Sequence, residues 1–471
     1  MAQPFPEAHV FAGNYAPITM ECDAPDLPVR GEIPRGLAGT LYRNGPNPQF
    51  APRDPLHHHW FLGDGMVHAF RIEEGRVAYR NRWVRTPRFL AERAAGRALF
   101  GPWGMADPAA PATLGTDSGV ANTNVVWHAG RLLALEEAHL PFALDPGTLE
   151  SLGYHDFAGR LHGRFTAHPK LDPETGEMVF FAYSVGAPLS PGMAYGTVDR
   201  DGRVTRFDSF EAPFASMVHD FMVTRRHALF PVLPLAGSLP RAMAGGPPFA
   251  WEPERGARIG VLRRDAPVSA LRWFEGEPCY VFHVLNAWEE GKRILADVMQ
   301  AEEAPLFPRA DGKPGDPARQ AARLHRWTFD LSGNTDRFTS EPLDDLAAEF
   351  PRLDERYAGL PNRHGFYACR RPGAPAPGMF DAVAHLDHAT RRRSVYAVPA
   401  GDEVSEPVFV PRAADAPEGE GWLLLLAYRG TERRSDLLVL DAQDPAAGPV
   451  ATVELSHRVP HGFHGGWRDA G

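Results

Sequence analysis

The sequence of 471 residues predicts an all-β fold, and among all-β folds a propeller. Three observations lead there. Glycine and proline stand at 46 each, so breakers are too frequent for long helices. Short apolar runs recur along the whole chain with turn residues between them. Four histidines, His168, His219, His283 and His464, each sit in a short apolar or extended run, with gaps of 51, 64 and 181 residues. The first two gaps are each near one blade, and the last is about three. The innermost strands of a propeller all face one axis, so one histidine per blade can reach a common point.

The elements follow in chain order. Residues 70–79 alternate around Glu74-Gly75, and residues 124–135 around Gly130. Residues 172–181 turn at Gly176 and residues 198–204 at Gly202. Each reads as a β-hairpin by its alternation and its glycine. Apolar runs at 422–427 and 437–440 continue the pattern. Two stretches break it. Residues 89–100 read as a short amphipathic helix with Leu90, Ala94, Ala98 and Phe100 near one face. Residues 231–251 are apolar, rich in Pro and Gly, and poorly periodic. Both stretches read either as packing between blades or as caps, near 89–110 and 231–251, at the mouth of an apolar tunnel. On the second reading Leu90, Phe100, Leu233, Leu235 and Leu239 form an exposed patch that touches a membrane surface without spanning it. Residues 372–377 and 413–420 read as surface loops, and no linker divides the chain, so one domain over 1–471 is expected.

Composition excludes several classes. A net charge of −10 and a pI near 6.1 argue against a nucleic-acid binder. Cys22, Cys279 and Cys369 lie far apart, with no CxxC pair, so neither a disulfide framework nor a thiolate zinc site is suggested. The first residues lack the pattern of a signal peptide, and no apolar run approaches the roughly 18 residues of a membrane span. The expectation is a cytoplasmic protein, peripheral at most to a membrane. None of the ten Trp residues is followed by Asp, so the WD signature is missing. HExxH, GxSxG, Walker and GxGxxG motifs are absent.

The end of the chain carries the strongest chemical signal. Residues 458–467 hold His461, His464, Gly462, Gly465 and Gly466 where a chain normally frays. Glycines there suit a backbone that passes close to something buried. His57, His58 and His59 look like a metal handle, but consecutive side chains on a strand alternate sides and cannot converge. Four neutral imidazoles argue against a structural zinc, which is usually bound with thiolates, and suit iron, copper, zinc or nickel. The second nitrogen of such an imidazole is usually held by a carboxylate. Glu137, Glu349 and Glu406 stand in apolar settings, although each also reads as a surface charge at a strand end.

Motifs spread over nearly the whole chain then match one family. They include residues 41–48 (LYRNGPNP), 63–68 (GDGMVH), 122–124 (NTN), 166–170 (TAHPK), His219-Asp220, 282–287 (FHVLNA), 349–352 (EFPR) and 462–465 (GFHG). In these the chain resembles the carotenoid cleavage oxygenases, a family that includes apocarotenoid- and stilbene-cleaving dioxygenases. The resemblance implies a seven-bladed propeller with Fe(II) on its axis, held by His168, His219, His283 and His464. It implies that Glu137, Glu349 and Glu406 hold those histidines, and that Thr123 crowds an open iron position. Leu62 stands where an Asp is common, with no expected effect on iron. In the phenylpropenoid and stilbene branch, a Tyr and a Lys hold the substrate's phenol oxygen. Here those places read Trp103, shortly after Phe100, and Glu136. The expected reaction is oxidative cleavage, by O2, of a double bond in an apolar small molecule. The loss of the phenol-reading pair favours a carotenoid or apocarotenoid. A stilbene or isoeugenol-like substrate is the alternative, a retinoid isomerase a distant third, and a metal-free binding propeller the reading from another class.

Overall fold

Side chains that alternate along a strand give a sheet two apolar faces when it is sandwiched between neighbours, and this chain uses that arrangement seven times. The computed structural model describes residues 4–470 apart from 56, 57, 102, 104, 108 and 375–377. The last three belong to the expected loop 372–377, and His57 of the histidine triplet likewise lies outside the described residues.

The predicted hairpins are present in order. Gly65–Glu73 pairs antiparallel with Arg76–Trp83, and Asn124–His128 with Arg131–Leu135. Lys170–Leu171 pairs with Met178–Tyr183, Gly192–Val198 with Val204–Glu211, and Gly421–Arg429 with Arg434–Asp441. The remaining blades begin at Met222–Val223, Tyr280–Glu290 and Ala348–Arg352.

The two ends of the chain close the ring. Gly39–Pro46 pairs with Gly65–Glu73 on one side and with Gly465–Asp469 on the other. Val29–Gly31 pairs with Pro449–Glu454 at the edge of the last blade. The C-terminal stretch is therefore an inner strand and does not fray. A Cβ on Gly465 would lie 2.1 Å from the Tyr42 carbonyl oxygen, and one on Gly462 2.7 Å from that of Asn44. Those glycines permit the close approach that the sequence suggested.

The core lies between blades. Leu41, Phe70 and Val77 of the first pack against Leu424, Leu437 and Val439 of the last. Leu133, Leu135 and Ala143 pack against Met178, Phe180 and Val198. Each of the larger of these side chains, alanine excepted, stabilises the ring by about 1.5–3 kcal/mol relative to exposure.

Two expectations need correction. The helix is Pro87–Ala95, capped by Thr86 Oγ1, which accepts from Phe89 N at 3.2 Å, and stopped by left-handed Gly96. Its buried face is Arg88, Phe89 and Glu92; Leu90 and Ala94 point to solvent. Ala98 and Phe100 follow the helix and fold back beneath it, because the Glu92 carboxylate accepts from Leu99 N at 2.9 Å and Phe100 N at 3.2 Å. The exposed apolar patch is also not formed as expected. Phe100, Leu233 and Leu235 are 4%, 1% and 0% exposed, while Leu90 and Leu239 are exposed. Leu235 lies in Leu235–Gly237, which pairs with Phe249–Trp251, and Leu233 and Leu235 pack into the core shared by three blades. A ladder on one side and a core on the other leave those leucines no surface.

Candidate metal centre

Four inner-strand positions bring the histidines together. His168 precedes Lys170–Leu171, and His219 precedes Met222–Val223. His283 lies within Tyr280–Glu290, and His464 directly precedes Gly465–Asp469. These first strands touch across blade boundaries: Met222–Val223 meets Tyr280–Glu290, which meets Ala348–Arg352, and Gly465–Asp469 meets Asn124–His128. All four imidazoles are buried. One nitrogen from each falls within 4.8 Å of the other three. His168 Nε2 is 3.1 Å from His219 Nε2, which is 3.2 Å from His283 Nε2. Two nitrogens bound to one ion at ~2.1 Å and at a right angle are ~3 Å apart. Among the described residues this is the only group of three or more such side chains with that convergence.

The outward nitrogens explain why the inward ones can bind a cation. Glu137 Oε1 bonds His219 Nδ1, Glu349 Oε2 bonds His283 Nδ1, and Glu406 Oε1 accepts from His464 Nδ1 at 2.9 Å. Each carboxylate claims the Nδ1 proton and turns the Nε2 lone pair inward. No carboxylate bonds His168 among the described residues; its backbone N–H is held by Thr166 Oγ1 at 2.9 Å. Burial, then the neighbouring imidazoles, hold His168 well below the usual histidine range. Burial lowers His464 to about 3. At His283 burial also acts downward, but Glu349 outweighs it and the net shift is upward. Inward lone pairs on buried, nearly touching imidazoles form a donor set that fits one divalent cation, with the three glutamates supplying the negative charge the ligands lack.

Irregular backbone aims two of these groups. The ladder of Tyr280–Glu290 slips in register on both sides of Val284, next to His283. That of Ala348–Arg352 slips between Glu349 and Arg352, and Phe350 has a φ of 56°. A bulge redirects a side chain, and a left-handed Phe is retained only where its surroundings demand it. The Phe350 ring lies 5.4 Å from both His283 and His464, against the ligands.

The other expected residues fall as follows. Thr123 lies against the centre, its carbonyl accepting from His464 N at 3.1 Å. His461 is not part of the centre: its Nε2 pairs with Glu403 at 2.7 Å and its ring packs on Tyr15. His58 contacts Phe11, and His59 stacks on Phe307. Glu136 bonds His139 Nδ1 and accepts from Val120 N at 3.3 Å. Phe100 lines a separate polar cavity with Asp64, Arg88 and Glu92. Trp103, also at a positive φ of 55°, ends a run of rings that leads to the four histidines. Its centroid is 6.2 Å from Phe307, which is 6.2 Å from Phe61, which is 6.3 Å from Phe282, which meets His219 edge-on at 5.1 Å.

Sequence reasoning missed several members. Tyr183 bonds the second oxygen of Glu137. Gly465 N donates to Glu406 Oε2 at 2.9 Å, and Arg352 lies 3.3 Å from Glu406 Oε1. Burial works against the Glu406 charge, yet Arg352, His464 and Arg43 hold it down at about 2. The Arg of the EFPR motif was the available signal; Tyr183, in a strand, carries none because aromatic residues there are common, and Phe61 and Phe307, outside strands, stand in no motif.

The comparisons with known proteins agree with this geometry. The model of the family described as retinal pigment epithelial membrane protein matches residues 15–469. The chain is 41% identical over 466 residues to isoeugenol monooxygenase of Pseudomonas putida, covering 97% of each. It is 37% identical to lignostilbene-alpha,beta-dioxygenase isozyme III of Sphingomonas paucimobilis, covering 99% of this chain and 98% of that one. Among solved structures, the lignostilbene dioxygenase of Pseudomonas brassicacearum superposes with a TM-score of 0.95 at 36% identity over 100% of both chains. An apocarotenoid oxygenase variant of Synechocystis gives 0.86 at 29% identity, covering 97% of this chain and 98% of that one.

Proposed function

The chain belongs to the carotenoid cleavage oxygenase family, and from that premise we propose that it is an Fe(II)-dependent oxygenase that cleaves, with O2, the side-chain double bond of a phenylpropenoid or stilbene. The oxygenase class comes with the family; the metal and the substrate are the proposal. The observation that carries it is the run of rings from Trp103 through Phe307, Phe61 and Phe282 to His219. Such a wall holds a flat conjugated molecule by offset and edge-on contacts, and it leads that molecule to the imidazoles. The more similar relatives, named for isoeugenol and lignostilbene, support this substrate class better than the carotenoid reading that the loss of a Tyr and a Lys suggested.

His168, His219, His283 and His464 would hold the iron, which when bound supplies O2 binding and its redox chemistry. Everything else belongs to the protein. Glu137, Glu349 and Glu406 fix the ligands' tautomers, Phe350 packs against His283 and His464, and Thr123 backs His464. The apolar rings exclude water and position the double bond. No side chain is required to move a proton.

The test loads purified protein with Fe(II) without air. It then compares isoeugenol, a hydroxystilbene and an apocarotenal under O2, with products read by mass. Cleavage of isoeugenol or the stilbene with the higher kcat/KM supports the proposal. Preference for the apocarotenal overturns its substrate half, and turnover by chelated, iron-free protein overturns its metal half.

A further inference from the structure

A single buried carboxylate joins three of the four ligand-bearing blades. Asp220 follows His219 directly and is 3% exposed. Its Oδ1 is 2.7 Å from Lys170 Nζ and accepts from Phe221 N at 2.8 Å. Its Oδ2 accepts from Val284 N at 2.9 Å. Lys170 stands two residues after His168, Phe221 two after His219, and Val284 immediately after His283. Val284 is also where the ladder of Tyr280–Glu290 loses register, so its N–H serves Asp220 at the place where the strand bends to aim His283.

We infer that the Lys170–Asp220 pair is a positioning clasp for the metal centre, setting the mutual spacing of His168, His219 and His283 before an ion arrives. This rests on the metal reading above. Ligand distances at a metal site tolerate only about 0.2 Å of error. The three strands come from different blades, and among the described residues no sheet pairs any of them with another. A charge-assisted bond from each strand to one carboxylate ties them at the level of the ligands. Both oxygens of Asp220 face donors that cannot turn into acceptors: an ammonium and two backbone N–H groups. An asparagine there must aim its NH2 at one of them, so the strands part even though the side chain is the same size.

Another buried pair serves as the control. Asp297 is fully buried and bonds Arg326 of its own blade through both oxygens, at 2.7 and 2.9 Å; its nearest imidazole is His388, at 3.8 Å, and it bonds none of the four clustered histidines among the described residues. Asp220→Asn, Lys170→Met and Asp297→Asn are compared with wild type after removal of metal. Co(II) affinity is measured by chelator competition, the visible spectrum of bound Co(II) reports the ligand geometry, and thermal melting reports stability. Asp220→Asn is expected to bind Co(II) about 10–100-fold more weakly with an altered spectrum, as for other groups that orient metal ligands. Lys170→Met should move the same way by less, because two backbone donors remain. Asp297→Asn should melt earlier yet keep the wild-type affinity and spectrum. Wild-type affinity and spectrum in Asp220→Asn overturn the inference, as does an equal loss in Asp297→Asn, which would mean general loosening. A wild-type chain that takes up neither Co(II) nor Fe(II) overturns the metal reading and the clasp with it.

Discussion

The three glutamates behind the histidines look interchangeable, but their unequal partners predict unequal effects when each becomes glutamine. Glu349 uses one oxygen, Oε2, for both His283 Nδ1 and Phe350 N, and its Oε1 has no partner among the described residues. A glutamine keeps both bonds by placing its oxygen there. Glu137 meets His219 with one oxygen and the Tyr183 hydroxyl with the other. A glutamine keeps both if the hydroxyl turns from donor to acceptor. Glu406 faces His464 Nδ1–H with one oxygen and Gly465 N–H with the other, both at 2.9 Å; the amide cannot reverse, and the imidazole does so only by moving its proton to Nε2, which removes the inward lone pair. A glutamine there either leaves one buried donor facing another, at a cost of about 1–3 kcal/mol, or forces His464 into the tautomer whose Nε2 cannot bind a metal. It also removes the anion opposite Arg352, whose side chain is only 17% exposed. Losing one member of a buried pair costs about 3–5 kcal/mol at most, less here because Arg352 retains the Gly465 carbonyl at 2.8 Å. Glu406→Gln should therefore lose about 2–4 kcal/mol of stability and bind metal about 10–100-fold more weakly. Glu349→Gln should lose under about 1.5 kcal/mol and only a few-fold in affinity, with Glu137→Gln between. Urea unfolding of the metal-free proteins and chelator competition with Co(II) give both numbers. If Glu349→Gln is as damaging as Glu406→Gln, the hydrogen-bond reasoning is wrong. If none of the three changes metal affinity, the carboxylates do not act on the ligands.

Other outcomes follow from the same geometry. His464→Ala should abolish stoichiometric iron while His461→Ala retains it, because only the former faces the centre; iron content after gel filtration decides. Trp103→Ala should lower kcat/KM for isoeugenol or a stilbene by about 2–10-fold, the value of one aromatic contact, with iron content unchanged. Leu233→Glu should unfold or melt far below wild type, since it buries an unpaired charge, whereas Leu239→Glu on the exposed short helix should melt within a degree or two of it. Glu289 is held at about 2: burial opposes its charge, but His227, Thr224 and Arg226 N overcome it. Its folded pKa lies below the ordinary value of 4.5, so its contribution is complete above that pH and is lost as pH falls through about 2. Glu289→Gln should flatten the acid limb of a stability–pH curve over that window.

What the sequence determined by itself was local or periodic. Alternation around Gly75, Gly130, Gly176 and Gly202 named the hairpins, because a side-chain period of two and a turn glycine are properties of a few neighbouring residues. The spacing of His168, His219 and His283 indicated one blade per gap, and separated histidines could converge where the adjacent triplet at 57–59 could not. Tertiary structure decided what depends on which strands become neighbours. Glu406 meets His464 only because Gly465–Asp469 returns to the first blade and sets His464 beside it. Leu233 and Leu235 read as surface and are core, because a short ladder and three blades cover them. Phe61, Phe282 and Phe307 come into line because a 3-10 turn, an inner strand and a loop from distant parts of the chain bring their rings together. Asp220 becomes a junction only when the donors of two other blades meet its two oxygens. Contacts between blades join residues tens to hundreds of positions apart, and no period along the chain records them.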